Sequence, residues 1–435
     1  MKHFSLFSRA FVPHSAGLIA AFFVLGEAPA LAQQNPQQAE IDGLRQQLAE
    51  LKARLDKLEA APAASPAKSA SPSVTSNSQL PVVVSGVLQV HALNFASEGA
   101  RSGGTRGVDT LRLRRGQIRL TAPRITDKIA GTVMFDPTRI ISQRGNSATS
   151  QIRGRDNPLQ EILLSYQLSN RPTGANFIDV GQFKIPIGYE SLLSANALPA
   201  VERALFFTQR DPFDGGYADV RDTGIQLRGN AGTLDYRLGL FNGLGDRQNA
   251  LALSDAKSVL ARLAFHPRAV PGLEIGVSGG RGNTGINNFV TTTNAAGVTS
   301  TTTVVRRANR SLFNAFAVYK RRKLTLQSEF LTGKAAPIVI DATTLAGRDI
   351  RSYYAHIGYA LRPQLEAIAR YDYFDFNRDE DNADLTDITL GLNYYLRGNN
   401  AKIQSNLVRR SSSAGAPPAL RNDRYELRTN FQVAF

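Results

Sequence analysis

Residues 424–435, which end the chain, read RYELRTNFQVAF. One set of alternate positions is mostly aromatic or aliphatic: Tyr425, Leu427, Thr429, Phe431, Val433 and Phe435. The other set carries charges or amides: Arg424, Glu426, Arg428, Asn430 and Gln432. A period of two sustained over a whole segment is typical of a β-strand with one apolar and one polar face. The segment therefore predicts a strand that separates two different environments.

The same alternation recurs throughout residues 80–435, where about sixteen segments show it. Tight turns rich in Gly, Asn and basic residues, such as 229–232 and 320–323, alternate with long polar connections such as 136–158 and 282–310. Bacterial outer-membrane barrels have an even number of strands, with turns at one rim and loops at the other. We therefore expect an all-β fold, a transmembrane antiparallel β-barrel of about sixteen strands in the outer membrane.

The residues before the barrel fall into three segments. Residues 1–32 have basic Lys2 and Arg9, a short apolar run and an A-x-A site, which predict a secretory signal peptide. An uncleaved membrane anchor is the alternative reading of this segment. Residues 33–60 repeat Ile or Leu every three or four positions and predict a short N-terminal coiled-coil helix, or a single amphipathic helix. Residues 61–79 are rich in Ala, Pro and Ser and predict a flexible linker.

Composition restricts the chemistry of the chain. It contains no Cys and five His, so thiolate sites are excluded, and we expect neither a metal nor another cofactor. The formal net charge is +15, which predicts an anionic partner. Because the predicted signal peptide directs the chain out of the cytoplasm, we expect no nucleic acid partner.

Many charges lie on the polar face of the predicted strands, including Arg228, Arg237, Arg370 and Lys402. They are too numerous to bury in a dry interior, so water must reach them. A barrel of about sixteen strands is wide enough for an aqueous lumen. The sequence therefore predicts a pore.

Residues 111–119 read LRLRRGQIR and hold the densest basic cluster. Strict alternation places Arg112 and Arg114 on one face, and Arg115 and Arg119 on the other. Neither pair can face lipid, since an arginine at the bilayer midplane costs about 2–4 kcal/mol. We therefore expect a β-bulge near residues 114–116 that turns both pairs toward the lumen. Guanidinium groups there would bind oxyanions, or would be ordinary solvated lumen residues.

The connection at 185–220 is unusually apolar for a long loop. Its apolar residues include Leu192, Leu193, Leu198, Val201, Leu205, Phe206 and Phe207. Such side chains are unfavourable in open solvent, so we expect a constriction loop that folds into the lumen and narrows it. Arg203 or Arg210 would then lie at the constriction. A plain external loop is the alternative.

Three stretches of this region carry a family resemblance. They are GQFKIPIGYE at 181–190, VERA at 201–204 and RDTGI at 221–225. Together they resemble the phosphate-selective porin O and P family, and the likeness extends more weakly over residues 80–435. It implies a trimeric sixteen-stranded barrel, with an anion site built from basic residues of the wall and the inward loop.

Several positions of this chain match the basic residues of that family: Arg114, Arg115, Lys184, Arg203 and Arg221. A departure is the segment DPFDGG at 211–216, which adds acidic residues near the constriction. The resemblance therefore implies an anion site, with phosphate, polyphosphate or a similar small oxyanion as the solute.

We expect a homotrimeric outer-membrane porin, surrounded by outer-membrane lipid, and not an enzyme. A general diffusion porin with weak selectivity is the main alternative. GVSGG at 276–280 fits the G-x-S-x-G motif of hydrolases, but it lies within a predicted strand and not at a strand-to-helix turn. A surface adhesin is the third reading, given the Leu repeats and the Thr-rich stretch 291–305.

Overall fold

The computed structural model describes residues 73–75, 81–97, 109–123, 125–141, 158–171, 174–208, 220–243, 257–293, 297, 299–340, 343–345, 347–416 and 423–435. The predicted signal peptide, the coiled-coil segment and most of the linker lie outside these residues. Within the predicted linker, Ser73–Thr75 forms a short strand, β1, that pairs with residues 81–83. In the described part of the chain, no helix is long and apolar enough to cross a membrane.

Sixteen antiparallel strands form one closed barrel. They are β2 (Pro81–Ser97), β3 (Thr110–Ala122), β4 (Ile129–Phe135), β5 (Leu159–Arg171), β6 (Gly174–Lys184), β7 (Arg221–Ala231), β8 (Leu234–Phe241), β9 (Ser258–Phe265), β10 (Leu273–Thr293), β11 (Thr299–Arg321), β12 (Leu324–Ala335), β15 (Arg348–Arg362), β16 (Leu365–Asp375), β17 (Asp384–Arg397), β18 (Ala401–Ser412) and β19 (Arg424–Ala434). β19 pairs with β2, as in Phe431↔Val90, and this pairing closes the barrel. The prediction of an all-β barrel of about sixteen strands is confirmed.

The remaining elements are short and lie in the connections. They are β13 (Ile338–Ile340), β14 (Thr343–Leu345), helical turns at Thr138–Ile141 and Leu205–Thr208, and 3-10 turns at Glu190–Leu192 and Ala195–Ala197. β13 and β14 pair with each other in a separate small hairpin.

Alternation along each strand produces two chemically different barrel surfaces. In β17, Ile388, Leu390 and Leu392 point outward and are 44%, 57% and 51% exposed. Asp387 and Asn393, on the opposite face of the same strand, are buried inside the barrel. An apolar outer face with a polar interior is the arrangement that a lipid-embedded, water-filled barrel requires, because hydrocarbon cannot hydrogen-bond polar groups.

The two rims differ in the length of their connections. One rim carries the connections 123–128, 172–173, 232–233, 266–272, 322–323, 363–364 and 398–400, together with Pro81 and Phe435. The other rim carries 98–109, 136–158, 185–220, 242–257, 294–298, 336–347, 376–383 and 413–423, and we call it the outer rim. In outer-membrane barrels the short turns are periplasmic and the long loops face the cell exterior.

The prediction of a long loop at 282–310 is wrong. β10 continues to Thr293 and β11 already begins at Thr299, so the two strands project as one long hairpin. The sequence of residues 282–310 shows no regular apolar–polar alternation, but it is rich in Thr and Val, which favour extended backbone.

Candidate channel constriction

Most of the connection between β6 and β7 folds inward against the inner wall of the barrel. Its apolar side chains are at most 8% exposed at seven positions: Ile185, Ile187, Leu198, Val201, Leu205, Phe206 and Phe207. Leu192 and Leu193, which were expected to be sheltered with them, are only partly buried. Residues 185–208, the described part of this connection, therefore lie inside the barrel against its wall. We call this segment the constriction loop.

An apolar patch on the inner wall receives the end of the loop. Its side chains come from neighbouring strands β11, β12 and β15 to β17: Leu312, Leu331, Ile350, Phe374 and Leu385. The ring of Phe206 lies 4.0 Å from that of Phe207 and 6.0 Å from that of Tyr354, centroid to centroid. The inner wall is therefore not polar throughout, and removal of these groups from water stabilises the docked loop.

Glu329 on β12 binds the first turn of the loop. Its carboxylate accepts the backbone N–H groups of Tyr189 and Glu190, each at 2.8 Å, and the hydroxyl of Tyr354 at 2.7 Å. Gly188 makes this approach feasible, because its φ is +74° and a Cβ there would lie 2.5 Å from Glu329 Oε2. The backbone N–H of Gly188 also donates to Ser278 Oγ at 2.8 Å. Ser278 therefore holds the loop from within a strand, rather than standing at a nucleophile elbow.

Glu190 is the centre of a buried polar network. Its carboxylate forms an ion pair with Arg370 on β16, and both side chains are at most 2% exposed. The same carboxylate accepts the backbone N–H of Ala204 at 2.9 Å, which ties the two ends of the loop together. A buried ion pair of this kind holds one specific arrangement, because separating the partners would leave an uncompensated charge.

The middle of the loop is held by wall side chains through its own backbone. Lys402 Nζ donates to the carbonyl of Leu198 at 2.8 Å, and Asn393 donates to that of Pro199 at 2.8 Å. Asn406 Oδ1 accepts the N–H of Val201 at 2.8 Å. Backbone groups without regular secondary structure need such partners when they are buried. The polar residues of β17 and β18 are thus part of the loop's binding site.

The bulge expected on β3 is present. Gln89 on β2 pairs with Arg115, and the next residue of β2, Val90, pairs with Leu113, so Arg114 is the extra residue. Leu113 points outward and is 60% exposed. The bulge lets the consecutive residues Arg114 and Arg115 both point inward, as predicted.

Two arginines of β3 share one carboxylate of the loop. Arg114 binds Glu202 with both Nε and Nη2, at 2.7 and 2.9 Å. Arg112 donates to Oε1 of the same carboxylate at 2.7 Å, and its side chain is still 44% exposed. Two guanidinium groups and one carboxylate leave this triad with a formal charge of +1.

A second triad has the same composition. Arg119 on β3 and Arg221 on β7 bind opposite oxygens of Glu161 on β5, at 2.6 and 3.1 Å. The side chain of Arg119 is 39% exposed and that of Arg221 is 11% exposed. This triad also carries a formal charge of +1, and it joins three strands that are separated in the sequence.

The other basic residues named from the sequence lie in different surroundings. Arg115 is 7% exposed and donates to Gln89 Oε1 at 2.6 Å. Lys184 and Arg203 both donate to the carbonyl of Leu193, each at 2.9 Å. Arg203 was expected at the constriction, but its side chain is only 7% exposed and binds loop carbonyls instead. Arg210 lies outside the described residues.

Several residues of this arrangement were missed because their partners are distant in the sequence. Glu161 and Gln89 have no motif around them, and only the fold brings them to the arginines. His91, fully buried with Nδ1 3.7 Å from Glu202 Oε1, is a further example. Glu202 did carry a signal, since it precedes Arg203 in the segment that resembles the porin family.

The carboxyl of Glu202 is strongly acidic. Burial by itself would raise its pKa, but the charge of Arg114 and the hydrogen bonds from it outweigh burial and hold the pKa well below its usual range. A group with a lowered pKa keeps its ion pairs above that value and loses them only as the pH falls through it. The Glu202 triad therefore persists at pH values that protonate ordinary carboxyl groups.

Glu202→Gln gives a test of this acidity. The variant removes one negative charge from the lumen, so we expect a reversal potential shifted toward greater anion selectivity. Because Glu202 stays ionised, the shift should be as large at pH about 4.5, close to the usual glutamate pKa, as at pH about 7.5. If the reversal potentials of the wild type and the variant converge at pH about 4.5, Glu202 titrates like an ordinary glutamate.

Comparison with known proteins agrees with this architecture. A sequence model of the phosphate-selective porin O and P family matches residues 139–435. No curated protein matches the chain at the level of sequence. The structure is similar to the anion-selective porin from Comamonas acidovorans, with a TM-score of 0.56 and 13% identity over 81% of this chain and 99% of that one.

Two further solved structures have the same fold. The outer-membrane channel DcaP of Acinetobacter baumannii has a TM-score of 0.52 and 10% identity over 83% of this chain and 99% of that one. The trimer form of OmpT from Vibrio cholerae has a TM-score of 0.52 and 12% identity over 81% of this chain and 99% of that one. Identities this low support the fold alone, whereas the family match covers more than half of the chain. The chain is therefore an outer-membrane protein that belongs to the phosphate-selective porin O and P family.

Proposed function

We propose that this porin forms a water-filled, anion-selective channel for phosphate or similar small oxyanions, including short polyphosphates. The observation that carries the proposal is the pair of triads, Arg112–Arg114–Glu202 and Arg119–Arg221–Glu161, in which two arginines share one carboxylate. Each triad keeps a formal positive charge on the inner side of the wall, and Glu202 of the first triad belongs to the constriction loop itself. Fixed charge of one sign in a narrow aqueous path raises the local concentration of ions of the opposite sign.

Geometry supports oxyanions over other anions. Arg112 and Arg119 each donate to a carboxylate through Nη2, and their side chains are 44% and 39% exposed. A guanidinium group has five N–H donors in a planar fork, which suits the spacing of phosphate oxygens. A phosphate ion could therefore exchange one hydration contact after another for arginine contacts without a deep binding well, as fast permeation requires.

A general diffusion porin remains a second candidate because one observation favours it. Each exposed arginine of the triads already holds a carboxylate within 2.7 Å, which offsets part of its attraction for a solute. Under this reading the arginines maintain a hydrated lumen and confer weak selectivity. The two functions differ in phosphate block, which only a channel with oxyanion contacts should show.

Double substitution of Arg119→Gln and Arg221→Gln tests the proposal. We expect it to lower the phosphate-to-chloride permeability ratio, and to weaken phosphate block of single-channel current by about tenfold, since two charge-assisted contacts are lost. A matched control is Arg321→Gln with Lys323→Gln, which removes the same charge at the periplasmic turn between β11 and β12. Equal phosphate block in all three channels would contradict an oxyanion site at the second triad.

We further propose that the chain works as a homotrimer, exported by a signal peptide at 1–32, with residues 33–60 as a coiled coil and 61–79 as a linker. The resemblance to trimeric family members and the regular Leu spacing of 33–60 support this assembly. Single-channel records should then show three equal conductance steps for each insertion event. A single step per insertion would indicate a monomer.

A further inference from the structure

A second basic cluster lies at the outer rim, away from the constriction. Four basic side chains line a cavity of about 700 Å³ there: Arg281 on β10, Arg310 on β11, Lys334 on β12 and Arg348 on β15. Ser311 and the exposed Asp379 also line it. We call this the rim pocket.

Strand register places one row of the rim pocket, Arg281, Ser311 and Lys334, on the membrane side of the wall. Arg281 pairs with Ser311, and Ser311 with Lys334, so the three residues form one row across neighbouring strands. Arg281 continues the outward series of Ile275 and Val277, which are 42% and 44% exposed.

Lys334 continues a second outward series, from Leu326 and Phe330, which are 40% and 38% exposed. Both cations are exposed and point away from the lumen, just beyond the apolar band of the barrel. A solute passing through the channel would therefore not meet them.

Outward-facing cations at this level have a limited choice of partners. Hydrocarbon penalises charge, so Arg281 and Lys334 must lie at the depth of the lipid headgroups. Strands are spaced about 4.8 Å apart, which separates these two residues by roughly 10 Å along the row. Arg310 and Arg348 lie in the next row, because both pair with Ala335, which is buried inside the barrel, so they point to the lumen side of the wall. Arg281 and Lys334, with the Ser311 hydroxyl between them, offer several donors to a headgroup that carries more than one phosphate.

We propose that the outward row of the rim pocket, Arg281, Ser311 and Lys334, binds the phosphorylated headgroup of an outer-leaflet lipid. Charge complementarity and position at the membrane-facing rim identify this occupant. Arginine and lysine donate to phosphate oxygens, and the Ser311 hydroxyl adds a neutral donor in the same row. The site belongs to a different part of the wall from the triads, since β3, β5 and β7 contribute nothing to it.

Lipid retention by the purified protein tests the proposal. Wild-type protein would be placed in phosphatidylcholine nanodiscs containing a diphosphorylated glycolipid, and the retained glycolipid would be counted by native mass spectrometry. Loss of two cations in Arg281→Gln with Lys334→Gln should reduce retention at least about tenfold. The matched control, Arg321→Gln with Lys323→Gln, removes two cations at the opposite, periplasmic end of β11 and β12. It should retain glycolipid like the wild type. Unchanged single-channel conductance would show that both variants are folded.

Two measurements on the wild type distinguish lipid binding from the binding of a free anion. The dephosphorylated glycolipid should be retained as weakly as phosphatidylcholine, and inorganic phosphate should not displace the diphosphorylated form at equal concentration. Equal retention of the dephosphorylated lipid would overturn the proposal. Displacement by inorganic phosphate would overturn it too, by showing a solute site instead. If the variant Arg281→Gln with Lys334→Gln retained as much glycolipid as the control, these two residues would not bind the lipid.

Discussion

Gly188→Ala is expected to displace the constriction loop and to raise single-channel conductance severalfold. The φ of +74° at this residue is costly for alanine, by about 1–2 kcal/mol. The added Cβ would also lie 2.5 Å from Glu329 Oε2, the carboxylate that binds the next two backbone N–H groups. Because that carboxylate is itself buried, it cannot move away without losing its other partners, so the loop has to shift.

Gly232→Ala is the matched control for this effect. Gly232 has a similar φ of +64°, in the tight turn between β7 and β8, but a Cβ added there would have nothing within 4 Å. Gly232→Ala should therefore lose only the stability that a positive φ costs an alanine, and its conductance should be unchanged. Planar-bilayer recording of both variants measures the difference. If Gly188→Ala conducts like Gly232→Ala, the loop does not depend on the close approach to Glu329.

The second large effect is expected at the buried pair of Glu190 and Arg370. Glu190→Gln or Arg370→Gln alone leaves one charge buried without its partner, which costs about 3–5 kcal/mol. We expect either variant to loosen the constriction loop, with faster hydrogen exchange of residues 187–204 and noisier single-channel currents. The double variant removes both charges of the pair together and should recover most of the protection.

An exposed ion pair provides the comparison. Arg378 and Asp349 lie 3.5 Å apart at the outer rim, and the arginine side chain is 46% exposed. Arg378→Gln should change stability by less than about 1 kcal/mol, because solvent screens such pairs. If Glu190→Gln and Arg378→Gln affect loop exchange equally, the buried pair does not hold the loop.

Strand positions could be predicted well because the barrel wall separates lipid from water. The strand predicted at 424–435 is β19 (Arg424–Ala434), and the tight turns predicted at 229–232 and 320–323 join β7 to β8 and β11 to β12. Each outward residue must be apolar and each inward residue can be polar, so the alternation is visible in a single sequence. The exception is the β10–β11 hairpin, since the sequence of residues 282–310 shows no such alternation.

The constriction was predictable in part. The apolar content of 185–220 indicated an inward loop, and the cost of arginine in lipid indicated the bulge at Arg114. The partners of the arginines were not predictable, because they depend on how the loop crosses the lumen. Glu190 and Arg370, for example, are 180 residues apart in the sequence. The same limit explains why Arg203 was expected in the pore, whereas it binds loop carbonyls.

The reversal potential of the wild-type channel in a salt gradient tests the central claim most directly. With a net positive charge on each triad, we expect a strongly anion-selective potential and block of chloride current by phosphate at millimolar concentration or below. A reversal potential near zero, with current insensitive to phosphate, would contradict the claim. It would show that the arginines of β3 and β7 only maintain a hydrated lumen.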